Sequence, residues 1–157
     1  MVIHCTGVQL GDGCHLFVGA SGAGKTTLSR LVTRYTAHPV LSDDRLIVRR
    51  IEGRLVAFGT PWPGEGGFAV NAGAPVRSVC FLSKAAAGRL VPLPPGAAID
   101  RLLPMVSVPW YDAAMTTGCL DLCAALLEQV PAYDFQFAPE AEACRLLEEL
   151  SKGIRGQ

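Results

Sequence analysis

The segment Gly19-Ala20-Ser21-Gly22-Ala23-Gly24-Lys25-Thr26 constrains this chain more than any other feature. An apolar run, Cys14-His15-Leu16-Phe17-Val18, leads into it, and a helical pattern over residues 26–35 leads out, with Leu28, Leu31 and Val32 on one face. Strand, glycine-rich turn and helix in that order make a phosphate-binding loop. Glycines allow backbone conformations that aim several N–H groups at one anion. The helix that follows adds the positive end of its dipole. Lys25 puts a point charge on the terminal phosphates, and the Thr26 hydroxyl reaches magnesium. The expected ligand is therefore a nucleoside triphosphate, ATP or GTP, with Mg2+. Its contacts are Gly19, Ala20, Ser21, Gly22, Ala23, Gly24, Lys25, Thr26 and the adjoining Thr27.

The rest of the composition narrows the setting. The chain has 157 residues, the usual size of one domain, and half of them are hydrophobic. The formal net charge is zero, which removes the electrostatic case for a nucleic-acid partner. With 17 glycines and 11 prolines the chain suits a turn-rich α/β domain better than a helical bundle. No apolar run is long enough for a membrane span. The first six residues have neither a basic region nor a long apolar core, so no signal peptide and a cytoplasmic location are expected. Six cysteines lie mostly inside apolar runs and read as small buried hydrophobes in a reducing compartment. Cys119 and Cys123 share a helix face, but further ligands for zinc are not close in sequence.

Along the chain, residues 2–10 and 14–18 read as a hairpin around the turn Gly11-Asp12-Gly13. Residues 40–41 enter another strand, and 45–51 with 54–58 form a second hairpin. The glycine- and proline-rich stretch 59–75 reads as a long loop. A buried strand follows at 76–82, a short strand at 89–92 and a helix at 97–103. The longest helix is expected over 111–129, with Met115, Leu122, Ala125 and Leu126 inward. A strand at 133–137 and a helix over 140–150, begun at Pro139, complete the fold. Residues 1–150 are expected to form a single nucleotide-binding domain, and residues 151–157 a flexible tail.

Asp43 and Asp44 come one helix and one strand after the loop, at the end of a strand expected beside the one that precedes it. Neighbouring residues on an extended chain point to opposite sides. One carboxylate could face magnesium and the other an acceptor hydroxyl, a division that suits phosphoryl transfer. Residue type and spacing leave open which acid does which.

With these residues the sequence resembles the catalytic domain of the HPr kinase/phosphorylase family, which is related to phosphoenolpyruvate carboxykinase. The likeness is carried by His4 in Ile3-His4-Cys5-Thr6-Gly7-Val8, by the loop itself, and by Leu41-Ser42-Asp43-Asp44 one helix later. It implies an α/β fold with a mixed β-sheet of the HPr kinase/phosphoenolpyruvate carboxykinase type. It also implies ATP-dependent phosphorylation of a hydroxyl, a serine of a protein or peptide. By the same resemblance Asp43 is the catalytic base, Asp44 joins Thr26 on the metal side, and Lys25 and His4 complete the catalytic set, His4 near the terminal phosphate. The sequence departs from the family's bifunctional members at Lys25-Thr26-Thr27, where they commonly carry Lys-Ser-Glu. Their arginine-bearing acceptor segment is not found, so neither the reverse phosphorylase activity nor HPr as acceptor carries over.

Two other readings stay open: a kinase for serine itself or another small metabolite alcohol, and a non-catalytic nucleotide-binding regulatory module. Self-association into a homo-oligomer is also left open. Within 59–75, Pro61 and Pro63 stiffen the chain around Trp62 and the glycines beyond can hinge, which fits either a lid carrying Glu65 or an irregular surface loop. Arg45 and Arg77 are each candidates for a phosphate contact, and Trp110-Tyr111 for anchoring the core.

Overall fold

A computed structural model describes residues 1–153. Its elements are β1 (Val2–Leu10), β2 (Gly13–Val18), α1 (Lys25–Tyr35), β3 (Val40–Ser42), β4 (Arg45–Ile51), β5 (Arg54–Gly59), β6 (Gly73–Lys84), β7 (Arg89–Leu93), α2 (Pro95–Leu102), α3 (Ala113–Gln129), β8 (Ala132–Phe137) and α4 (Glu142–Gly153). A short 3-10 turn, Leu103–Met105, follows α2.

The strands form one mixed sheet in the order β2-β1-β4-β5-β6-β8-β7, with β3 paired to β1. The β2–β6 and β6–β8 pairs are parallel and the others antiparallel. Because β2 also pairs with β6, the path from β2 through β1, β4, β5 and β6 closes on itself. The long strand β6 makes this possible: Gly73, Ala74 and Pro75 pair with β5, and the residues from Val76 to Phe81 pair with β2.

Alternation along the strands sends side chains into two cores. Leu16 and Val18 of β2, with Val79 and Phe81 of β6, join Ala98 and Leu102 of α2 and Cys123 and Leu126 of α3. Phe17, Cys80 and Leu82 from the same strands join Leu28 and Val32 of α1 and Leu146 and Leu147 of α4. The sheet is thus held between a pair of helices on either face. Among the described residues no helix is long and apolar enough to cross a membrane.

Several expectations need correction. The strand before the acids, β3, lies beside β1 rather than beside β2. The loop after β5 is shorter than expected, 60–72, because β6 starts at Gly73. Met115 is exposed, since the buried stripe of α3 starts only at Cys119 and no residue before it in the helix is buried. Trp110 and Tyr111, expected as core anchors, are 73% and 88% exposed. The last helix starts at Glu142 and runs to Gly153, through the first residues assigned to the tail; residues 154–157 lie outside the described residues.

Candidate active site

The loop between β2 and α1 takes its shape from two glycines. Gly22 has φ 78° and Gly24 φ 107°, both in the left-handed region where a side chain is strained. Gly24 has a second constraint: a Cβ there would lie 2.8 Å from Cζ of Phe137. Gly24 is also the N-cap of α1, so no side chain caps the helix, and its first turn carries no acid. The positive end of the helix is therefore directed at the loop.

Lys25 is the first helical residue and is buried. Its Nζ donates to the carbonyls of Gly19 at 2.8 Å and Ala20 at 3.1 Å, so the loop's own backbone holds the ammonium. Burial pulls the Lys25 pKa below its ordinary value, and the nearby Asp44 charge opposes the shift.

The two acids part company after β3. Asp44 turns toward β1. Its backbone oxygen accepts from Cys5 N at 3.0 Å, and its Oδ1 lies 3.0 Å from Nε2 of His4. Its Oδ2 accepts from Nε of Arg45 at 3.2 Å. His4 sits in β1 where it pairs with Arg45 of β4. Burial and the Lys25 charge lower the His4 pKa, and Asp44 pulls it back up.

Asp43 is 2% exposed and turns the other way. Its Oδ1 accepts from the backbone N–H of Gly64 at 2.9 Å and of Phe68 at 3.3 Å, and its Oδ2 from that of Gly66 at 2.6 Å. The loop 60–72 is thus wrapped around one carboxylate, with Gly66 in a place where a Cβ would come within 2.4 Å of it. Ser42 braces the turn, its hydroxyl accepting from the N–H groups of Asp44 and Arg45. The sequence placed Ser42 in a motif and Gly64 and Gly66 among hinge glycines, but it gave neither these nor Phe68 a bond to Asp43 or to the turn after β3. The three loop residues act through backbone N–H groups, which leave no residue-type signature, although a serine just before two acids is a turn signal.

One cavity of about 260 Å³ gathers most of the expected residues: His4, Lys25, Thr26, Thr27, Asp43 and Asp44 all line it, as do Ser21, Gly22 and Gly24. Gly64 and Glu65 of the loop 60–72 close one side. Gly19, Ala20 and Ala23 do not line it; the first two serve through the carbonyls that hold Lys25. Trp62 is outside the lining and 56% exposed. Arg77 is not part of the site. It pairs with Asp12 in the β1–β2 turn, at the far end of β2 from the glycine-rich loop. Cys119 and Cys123 are both buried, and no cluster of three or more His, Cys, Asp or Glu able to hold a metal occurs among the described residues.

The donor set fits magnesium of the kind that accompanies a nucleotide. Such an ion keeps several waters and takes one or two protein oxygens plus phosphate oxygens. Thr26 and Asp44, which both line the cavity, are the residue types that would supply such oxygens.

No protein-family model and no curated protein matches the sequence. Among solved structures the chain is similar to the Hpr(Ser) kinase/phosphatase from Coxiella burnetii, with a TM-score of 0.57 and 17% identity over 99% of this chain and 90% of that one. At that identity the likeness is one of fold, and the fold is a mixed α/β architecture of the HPr kinase type.

Proposed function

We propose that this chain is a magnesium-dependent kinase that moves the γ-phosphate of a nucleoside triphosphate to a hydroxyl, a serine of a protein or peptide. The observation that carries the reading is the meeting of three separate chain segments at one cavity. The phosphate loop brings Lys25 and Thr26, β1 brings His4, and the turn after β3 brings Asp44. The serine acceptor rests on the fold likeness to a protein described as an Hpr(Ser) kinase/phosphatase.

In this reading the loop N–H groups and the N-terminus of α1 bind the phosphates. Lys25 leaves the carbonyls of Gly19 and Ala20 for phosphate oxygens, a better partner for an ammonium than a neutral carbonyl. Thr26 and Asp44 would hold magnesium, which neutralises phosphate charge when bound. His4 fixes Asp44 through its Nε2. Asp43 is a positioning residue: both its oxygens are taken by N–H groups of the loop 60–72, so it holds Glu65 and its neighbours against the cavity. That geometry weighs against the base role expected for Asp43. A loose phosphoryl-transfer transition state asks mainly for positioning and charge neutralisation, so a free carboxylate at the acceptor is not required.

The test is transfer of label from γ-labelled ATP, with magnesium, in a lysate of the source organism, wild type beside Asp44→Asn. Label on a protein or peptide, lost in the variant, is the expected result. Label confined to a small molecule would replace the protein acceptor with a metabolite alcohol. Intact nucleotide binding with no transfer at all would leave a regulatory module.

A further inference from the structure

A second cavity of about 320 Å³ adjoins the phosphate site and differs from it in character. Gly24 and Thr27 line both cavities, so the two share a wall at the N-terminus of α1. The first cavity is lined by Lys25, Thr26 and the acids. The second is lined by Ala23, Ala85, Phe137 and Pro139, with Lys84 at its side. One is built for charge and the other for a flat apolar body.

Its construction is rigid. Lys84 and Phe137 are register partners at the ends of the parallel strands β6 and β8, and Ala85 N donates to Phe137 O at 3.2 Å. The Phe137 ring is almost fully buried, packs on Phe135 at 5.7 Å between centroids, and lies so close to Gly24 that only glycine fits there. The slot therefore sits just beyond the carboxyl ends of β6 and β8, next along the sheet from β2, whose end carries the phosphate loop.

We propose that this slot is the base-binding subsite: the nucleobase of the bound nucleotide lies between the start of α1 and the ends of β6 and β8, against Ala85, Phe137 and Pro139. The inference rests on the phosphate-loop reading and adds to it where the rest of the ligand goes. A nucleotide has one end that is anionic and one that is flat and uncharged, and the two joined cavities match those ends in order. Burial of a planar ring on apolar and aromatic side chains holds a base without reading its edge, which explains why no base-reading motif stands out in the sequence.

The experiment compares ATP with inorganic tripolyphosphate, both with magnesium, by titration calorimetry on wild type and on Ala85→Phe, which fills the slot. Wild type is expected to bind ATP about tenfold or more tighter than tripolyphosphate, in line with what stacking one base contributes. In Ala85→Phe that advantage is expected to vanish while tripolyphosphate binds as before, which also shows that the variant is folded. Equal affinity of wild type for the two ligands would overturn the subsite whatever the variant does. So would an Ala85→Phe protein that keeps its preference for ATP. If wild type bound neither ligand, the phosphate-loop reading would itself fall, and the subsite with it.

Discussion

Nε2 of His4 lies 3.0 Å from Oδ1 of Asp44, although one residue is in the first strand and the other follows the third. The contact exists because β1 is the hub of the sheet, pairing with β2, β3 and β4, and because Asp44 is pinned to it by the Cys5 N–H. Both side chains are about a third exposed, and pairs of that kind contribute at most about 1 kcal/mol. His4→Ala is therefore expected to leave the urea midpoint nearly unchanged while it slows phosphoryl transfer. A variant that lost transfer only because it unfolded would show the loss in the midpoint too.

The two adjacent aspartates should separate cleanly. In Asp43→Asn an N–H group of the loop 60–72 faces an amide in place of a carboxylate oxygen. Loss of hydrogen bonds to a charged group costs about 1.5–3 kcal/mol each. Urea unfolding should register a loss of that order, and limited proteolysis should find new cleavage within 60–72. Asp44→Asn should keep the stability and protease resistance of wild type and lose transfer. Should Asp43→Asn lose all transfer with its loop still protected and its stability intact, Asp43 would be the base after all.

Lys25→Ala tests the phosphate loop directly. It removes the ammonium that the carbonyls of Gly19 and Ala20 now hold, whose charge-assisted bonds to phosphate would contribute about 1.5–3 kcal/mol. Affinity for ATP with magnesium should fall about tenfold to a hundredfold by calorimetry. An unchanged affinity would remove the nucleotide from this cavity.

What the sequence made legible was local. The glycine-rich turn between β2 and α1, the hairpin β1–β2 and the hairpin β4–β5 are each written in one contiguous stretch. The closure of the sheet through β2 and β6 joins distant strands, and nothing in either strand announces its partner. The same holds for Asp43, whose partners are backbone N–H groups of a loop whose sequence fitted a lid and an irregular surface loop equally well. Trp110, Tyr111 and Met115 misled for a different reason: apolar residues fill the core, but being apolar does not place a residue there.

Gly24 and Gly118 make a matched pair of glycine-to-alanine substitutions with opposite expected signs. Gly24 has φ 107° and faces the Phe137 ring, so Gly24→Ala should cost about 1–3 kcal/mol and weaken nucleotide binding. Gly118 is inside α3, and a Cβ added there would meet nothing within 4 Å, so Gly118→Ala should add up to about 1 kcal/mol. Urea melts of the two variants against wild type measure both.

The last prediction concerns His15, which is 2% exposed on β2 and shares a 2.8 Å hydrogen bond, through Nδ1, with the Ser78 hydroxyl. Burial, helped by the Arg77 charge and opposed by Asp12, lowers its pKa from 6.5 to about 4. In the unfolded chain the ring takes up a proton near pH 6.5, and in the folded protein only near pH 4. Between those values the unfolded state binds more protons, so stability is full above the upper value and drains away as the pH falls toward the lower one. The linkage amounts to about 2 kcal/mol by about pH 5 and about 3 kcal/mol at about pH 4. His4 is shifted the same way, so the informative quantity is the difference between wild type and His15→Gln. Glutamine can still bond Ser78 but has no proton to gain, and the difference in unfolding free energy should narrow by these amounts as the pH drops from about 7.5. A difference that stayed constant with pH would mean that His15 does not resist protonation in the folded protein.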